Sequence, residues 1–176
     1  MILIVYATTE GQTRKVARFC ADELAGMGEG VELLPAAEAR AEDTDTRAYD
    51  ALILAGSVHA GRYQSDLVDF ARTHAGGLNT ARTLFLSVSL AAAGEDPDDW
   101  KGLEEGVSRF TAKTGWTPGR VVHVAGAFRF SEYDFFKSWA MRWIAAQKDQ
   151  EIDPHKDKEY TDWGALRAEL RAWRDG

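Results

Sequence analysis

The sequence predicts an α/β fold in which helices doubly wind a five-stranded parallel sheet, and three observations predict it. Short apolar runs recur along the chain without polar alternation, as strands buried on both faces require. Longer segments with helical spacing separate these runs. Pro35, Pro97, Pro118 and Pro154 fall between the segments, where proline punctuation belongs. In order, residues 2–6 form the first strand, followed by a turn at 7–12 and a helix over 13–26. Residues 31–34 make a weaker second strand, and 51–55 a third, introduced by Tyr49 and Asp50 and ended by Gly56. The fourth strand covers 84–90 and the fifth 121–125, with further helices at 65–74, 100–114 and 162–173. Right-handed crossovers leave few other ways to connect such a series. Residues 128–160 are a long insertion before the last helix, far longer than an ordinary connection and too aromatic for a disordered one.

Composition narrows the function. The 176 residues fit one domain spanning 1–176, and 45% hydrophobic with 28% charged residues is a globular balance. The net charge of −7 argues against a nucleic-acid protein, whose affinity comes from Lys and Arg on phosphates. A lone cysteine, Cys20, allows neither an internal disulfide nor a cysteine-rich zinc site, and fits a reducing cytoplasmic compartment. Cys20 lies on the apolar face of the first helix with Val16 and Leu24, as a small core residue does. No apolar run approaches the roughly 18 residues of a membrane span, and the opening run is too short for a signal peptide.

The chemistry concentrates in Ala7-Thr8-Thr9-Glu10-Gly11-Gln12-Thr13, between the first strand and the first helix. In a doubly wound sheet that position faces the ligand crevice. The first N–H groups of the helix lack acceptors and, with the helix dipole, suit a phosphate. Thr8, Thr9 and Thr13 add hydroxyls, and Gly11 allows close approach of the backbone. Neither the lysine of a triphosphatase loop nor a G-x-G-x-x-G dinucleotide fingerprint is present, so a monophosphate held by neutral donors fits better than NAD or ATP. The plainer alternative makes Thr13 a helix N-cap, with Thr8 and Thr9 filling a turn.

The T-x-E-G-x-T loop resembles the phosphate loop of flavodoxins, normally T-x-T-G-x-T, whose ligand is FMN. Tyr49 through Ser57 resembles the flavodoxin third strand running into its ring-flanking loop. More specifically, the chain resembles the flavodoxin-type, menaquinone-dependent protoporphyrinogen IX dehydrogenases of bacterial haem synthesis. The matching pieces are Glu10-Gly11-Gln12-Thr13, Gly61 with Tyr63, Ser87-Val88-Ser89-Leu90, Ala125-Gly126-Ala127 with Arg129, and Tyr160-Thr161-Asp162-Trp163. The resemblance implies a flavodoxin-like fold with FMN phosphate on Thr8, Thr9, Glu10, Gly11, Gln12 and Thr13. It implies that the loops 57–63 and 90–94 flank the flavin ring, and that Ser57, Val58, His59, Ala60, Gly61, Ser87, Val88, Ser89, Leu90, Ala91, Ala92 and Gly94 bind the cofactor. Protoporphyrinogen IX would give hydride equivalents to the flavin, and a quinone would take the electrons.

Arg62, Tyr63, Arg129, Phe135, Phe136, Trp139 and Trp143 are the candidate substrate or membrane contacts. Arg62 could pair with a propionate and His59 could shuttle a proton; the plainer reading leaves both solvated in a loop. The acidic run Glu95-Asp96-Pro97-Asp98-Asp99 stands where an anionic substrate would favour basic residues. Wound as a helix, Phe135, Phe136, Trp139, Ala140 and Trp143 share a face opposite Lys137, Met141 and Arg142. Segment 135–146 would then be a peripheral membrane contact, a lid, or a cover for a partner in a homo-oligomer. His155 among lysines reads as exposed rather than metal-ligating. Three functions remain: the FMN dehydrogenase, a flavodoxin-type electron carrier favoured by the acidic charge, and an NAD(P)H:quinone reductase.

Overall fold

A computed structural model describes residues 1–41, 44–128 and 157–176. Strands β1 (Ile2–Ala7), β2 (Val31–Pro35), β3 (Ala51–Ser57), β4 (Arg82–Ser89) and β5 (Arg120–Ala125) form one parallel sheet in the order β2-β1-β3-β4-β5. The helices are α1 (Gln12–Gly26), α2 (Ala36–Ala41), α3 (Ser65–Thr73), α4 (Ala75–Leu78), α5 (Pro97–Thr114) and α6 (Trp163–Asp175). The chain leaves β1 outward to β2, then returns to place β3 on β1's other side. The loops after β1 and β3 therefore diverge and open a crevice at the carboxyl ends of the strands.

Alternate residues of each strand feed two cores. Ile2, Ile4, Ile53, Leu84, Leu86 and Val124 pack with Val16, Cys20 and Leu24 of α1 and with Leu166, Leu170 and Trp173 of α6. Leu3, Val5, Leu52, Leu54 and Phe85 face the opposite layer, with Leu67 and Phe70 of α3, Phe110 of α5, and Trp116. Because both faces are covered, the strands read as continuous apolar runs. Cys20 is fully buried and its thiol is pushed up to about 12, chiefly by that burial and then by Glu23, so it is inert core.

Several expected boundaries move for local reasons. Pro97 opens α5 instead of preceding it: Asp96 caps the helix by accepting from the Asp98 N–H at 2.9 Å, and a proline just inside the start gives up no helical bond. The acidic run is thus largely a helix start, where carboxylates oppose the positive end of the dipole. Pro35 closes the edge strand β2, a position that tolerates a missing donor. Helices α2 and α4 were not expected from the sequence. The ends of the long insertion meet in a small antiparallel ribbon, β6 (Ala127–Phe128) with β7 (Lys158–Glu159). Arg129, His155, Pro154 and the aromatic segment 135–146 lie outside the described residues. No helix among the described residues is long and apolar enough to cross a membrane.

Candidate functional site

The loop from β1 to α1 is built around Gly11, whose φ of 85° is left-handed and caps the helix. Its N–H donates to Thr8 Oγ1 at 2.9 Å, which leaves the Thr8 hydroxyl proton free to be given elsewhere. Thr13 lies inside the first turn of α1 rather than at its cap, correcting the plainer reading of that residue. It is fully buried, and its Oγ1 has no hydrogen-bond partner among the described residues. An unpaired hydroxyl beside helix N–H groups that have no intrahelical acceptor suits an anion. Thr9 is exposed at the tip of the loop.

The loop after β3 faces it. His59 and Arg62 exchange backbone hydrogen bonds of 2.9 and 3.0 Å around Ala60 and Gly61, whose φ values are 48° and 72°. Two successive positive φ angles make the tight mirror-image turn of hairpins, natural for Gly61 and strained for Ala60. Arg109 of α5 reaches the Gly61 carbonyl at 3.4 Å. His59 Nε2 lies 3.1 Å from Ser57 Oγ, and its Nδ1 lies 4.0 Å from Glu10 Oε1. Burial holds the imidazole below its ordinary pKa of 6.5, which keeps it neutral at pH 7. Arg62 is exposed.

Gln64, which sequence reading passed over, joins the two loops. Its Nε2 donates to Thr9 Oγ1 at 3.1 Å and to Ser57 Oγ at 2.5 Å, while its Oε1 accepts from the Ser57 N–H at 3.3 Å. No local pattern announces that role, because it rests on a contact 55 residues away in sequence.

Tyr63 requires a correction. It is a buried core residue and not a surface contact: its hydroxyl meets Ser87 Oγ at 2.8 Å, and its ring packs 5.0 Å from both Phe85 and Phe110. Burial pushes its hydroxyl up to about 12. The side chains of Ser87 and Val88 are likewise in the core. They support the loop, as the Val88 carbonyl accepts from the Val58 N–H at 2.9 Å. After β4, Leu90 leads into a short 3₁₀ turn over Ala91–Ala93 that ends at Gly94. Ser89 Oγ accepts from the Ala92 N–H at 3.2 Å, Ala91 is buried, and Trp100 donates to the Gly94 carbonyl at 2.8 Å.

The residues between β7 and α6 close the site from behind α1. Thr161 Oγ1 donates to the Ala125 carbonyl at 2.6 Å and accepts from Gln12 Nε2 at 2.9 Å. Glu159 Oε2 accepts from Gln12 Nε2 at 3.2 Å and from Lys15 Nζ at 2.5 Å; Trp163 Nε1 donates to Glu159 Oε1 at 2.9 Å. Asp162 caps α6 through the Ala165 N–H. No cluster of three or more metal-binding side chains occurs among the described residues.

The flavodoxin-domain family pattern matches residues 3–155. The chain is 31% identical over 162 residues to protoporphyrinogen IX dehydrogenase (quinone) of Escherichia coli strain K12, covering 92% of this chain and 87% of that protein. A Leishmania major protein of the same name is 27% identical over 169 residues, covering 94% of this chain and 71% of its own length. Oxidised flavodoxin 2 from Bacillus cereus shares the fold, with a TM-score of 0.54 at 16% identity over 99% of this chain and 97% of that one. The Thr13 hydroxyl, unpaired among the described residues and set in a first helical turn whose N–H groups have no intrahelical acceptor, agrees with the flavin mononucleotide of such domains. The chain belongs to the flavodoxin-domain family, among the protoporphyrinogen IX dehydrogenases (quinone), and is an oxidoreductase that carries FMN.

Proposed function

We propose that this protein oxidises protoporphyrinogen IX to protoporphyrin IX and passes the electrons to a quinone of the menaquinone type. The observation that carries the reading is the 31% identity, over 92% of the chain, to a relative whose name states both substrate and acceptor. FMN, when bound, supplies the redox chemistry by taking up and releasing two electrons at a time; the chain binds and orients it. In this reading the N–H groups of Gln12 and Thr13 hold its phosphate, with the hydroxyls of Thr8 and Thr13. The loop of Ser57 through Gly61 and the loop of Leu90 through Gly94 flank its ring. His59, neutral at pH 7, accepts a proton at an imidazole nitrogen, and the exposed Arg62 pairs with a propionate of the substrate. Segment 135–146 gives apolar substrates access from a membrane surface.

The test is anaerobic. Protoporphyrinogen IX is added to the FMN-loaded protein, and a menaquinone analogue follows. Bleaching of the flavin band, its recovery with quinone and the appearance of porphyrin fluorescence are expected. A flavin that ignores porphyrinogen but takes electrons from a reductase would make the protein an electron carrier, the reading that the net charge of −7 favours.

A further inference from the structure

The network behind the phosphate loop has only one possible direction of donation. Thr161 spends its hydroxyl proton on the Ala125 carbonyl at 2.6 Å, so toward Gln12 it can only accept. The Glu159 carboxylate accepts as well, from Lys15 and from Trp163. Both neighbours of the Gln12 amide therefore demand its NH₂ group, at 2.9 and 3.2 Å, which fixes the amide's orientation. Gln12 is buried and is the first residue of α1, directly after the left-handed Gly11. Its side chain is thus tied across 149 residues of sequence to the carboxyl end of β5.

We propose that Gln12 and Thr161 are positioning residues for the cofactor phosphate: their hydrogen bond holds the first turn of α1 in the attitude that lets its N–H groups converge on that phosphate. The inference rests on the reading of this loop as the phosphate site. Neither residue needs to touch the flavin ring. Three roles would account for this contact, and they differ in what the ligand would report. A structural brace would change the stability of the protein alone. A general distortion of the crevice would weaken every flavin equally. A positioning role weakens only the ligand that carries a phosphate.

The experiment titrates the full-length protein, freed of flavin, with FMN and separately with riboflavin, following flavin fluorescence. Thr161→Val keeps the shape and removes the hydroxyl. It is expected to raise the Kd for FMN about tenfold, the loss of roughly one hydrogen bond's net contribution. The Kd for riboflavin is expected to stay put, and Thr161→Ser to restore FMN binding. Gln12→Met leaves the Thr161–Ala125 bond in place and should give the same FMN-selective loss, which covers the case of a valine variant that does not fold. An unchanged FMN Kd in both variants, or equal losses for FMN and riboflavin, would overturn the proposal. Should the unmodified protein bind riboflavin as tightly as FMN, the phosphate assignment itself would fall, and this inference with it.

Discussion

Replacing Thr13 with valine should move stability and cofactor affinity in opposite directions. The side chain is fully buried, and its hydroxyl has no partner among the described residues. A buried polar group left unpaired costs about 1–3 kcal/mol, and valine removes that cost without changing the shape of the site. Valine is no better a helix former than threonine, so a net gain at the lower end, about 1 kcal/mol, is expected. In a chain of this size each kcal/mol shifts the melting temperature by about 2–4 °C. The flavin-free variant should therefore melt a few degrees higher than the unmodified protein. With FMN the sign reverses. A hydrogen bond to a charged group contributes about 1.5–3 kcal/mol, and every 1.4 kcal/mol is tenfold, so the Kd should rise about 10- to 100-fold. Calorimetric titration gives the second number, and a thermal melt of flavin-free protein gives the first. A variant that melts lower and binds FMN unchanged would refute the reasoning, since the hydroxyl would then be satisfied within the protein and idle toward phosphate.

Other substitutions probe the surroundings. Tyr63→Phe strands the buried Ser87 hydroxyl and should cost about 1–3 kcal/mol in a denaturant melt, while FMN affinity stays the same; a lost affinity with unchanged stability would return Tyr63 to the crevice. The double variant Tyr63→Phe with Ser87→Ala should recover most of that loss, because neither polar partner remains. Burial lowers the pKa of His123 from 6.5, against a smaller opposing effect of Glu104, and His59 is lowered by burial as well. Each is neutral when folded yet gains a proton in the unfolded chain near pH 6.5, so stability present at pH 7.5 should decline as the pH falls through 6.5 and on through the lower folded value. His123→Phe keeps an aromatic ring against Trp100 and should flatten that decline between pH 7.5 and 5.5; an identical slope in the variant would remove His123 from the account.

Much of the fold was legible because strand burial and helix spacing are local signals. Ile2 through Val5 alternate between the two cores, yet every one of them is apolar, and that pattern alone marks a covered parallel strand. Gly11 was singled out for close approach of the backbone, and the structure adds that its φ of 85° makes the left-handed turn into α1. The contacts that cross the fold were not. Gln64 reaches Thr9, and Gln12 reaches Thr161, through ordinary polar residues that carry no local signature. Tyr63, expected among the substrate contacts, carries no local sign of burial in the sequence. Only the packing of Phe85 and Phe110 around its ring shows that the chain turns inward there. Pro97 misled in the other direction, as a proline can begin a helix as readily as it can precede one.

The costs in this fold are unevenly placed, and their placement points to the crevice. Thr13 buries a hydroxyl with nothing to bond, Ala60 holds a φ of 48° in a turn that favours glycine or asparagine, and His59 is kept neutral by burial. All three follow the carboxyl ends of β1 and β3, the strands between which the sheet order reverses. Trp116 and His123 are counterexamples: among the described residues the Trp116 indole N–H and His123 Nδ1 are also unpaired, and they lie ahead of β5 and within it. The Trp116 ring, however, is wholly buried near Phe85 and Phe110, and a large aromatic burial offsets one stranded donor. The His123 ring packs against Trp100. Thr13 and Ala60 have no comparable compensation among the described residues. Their cost is returned only by something that binds there, which is why the same residues should lose affinity and gain stability when they are made ordinary.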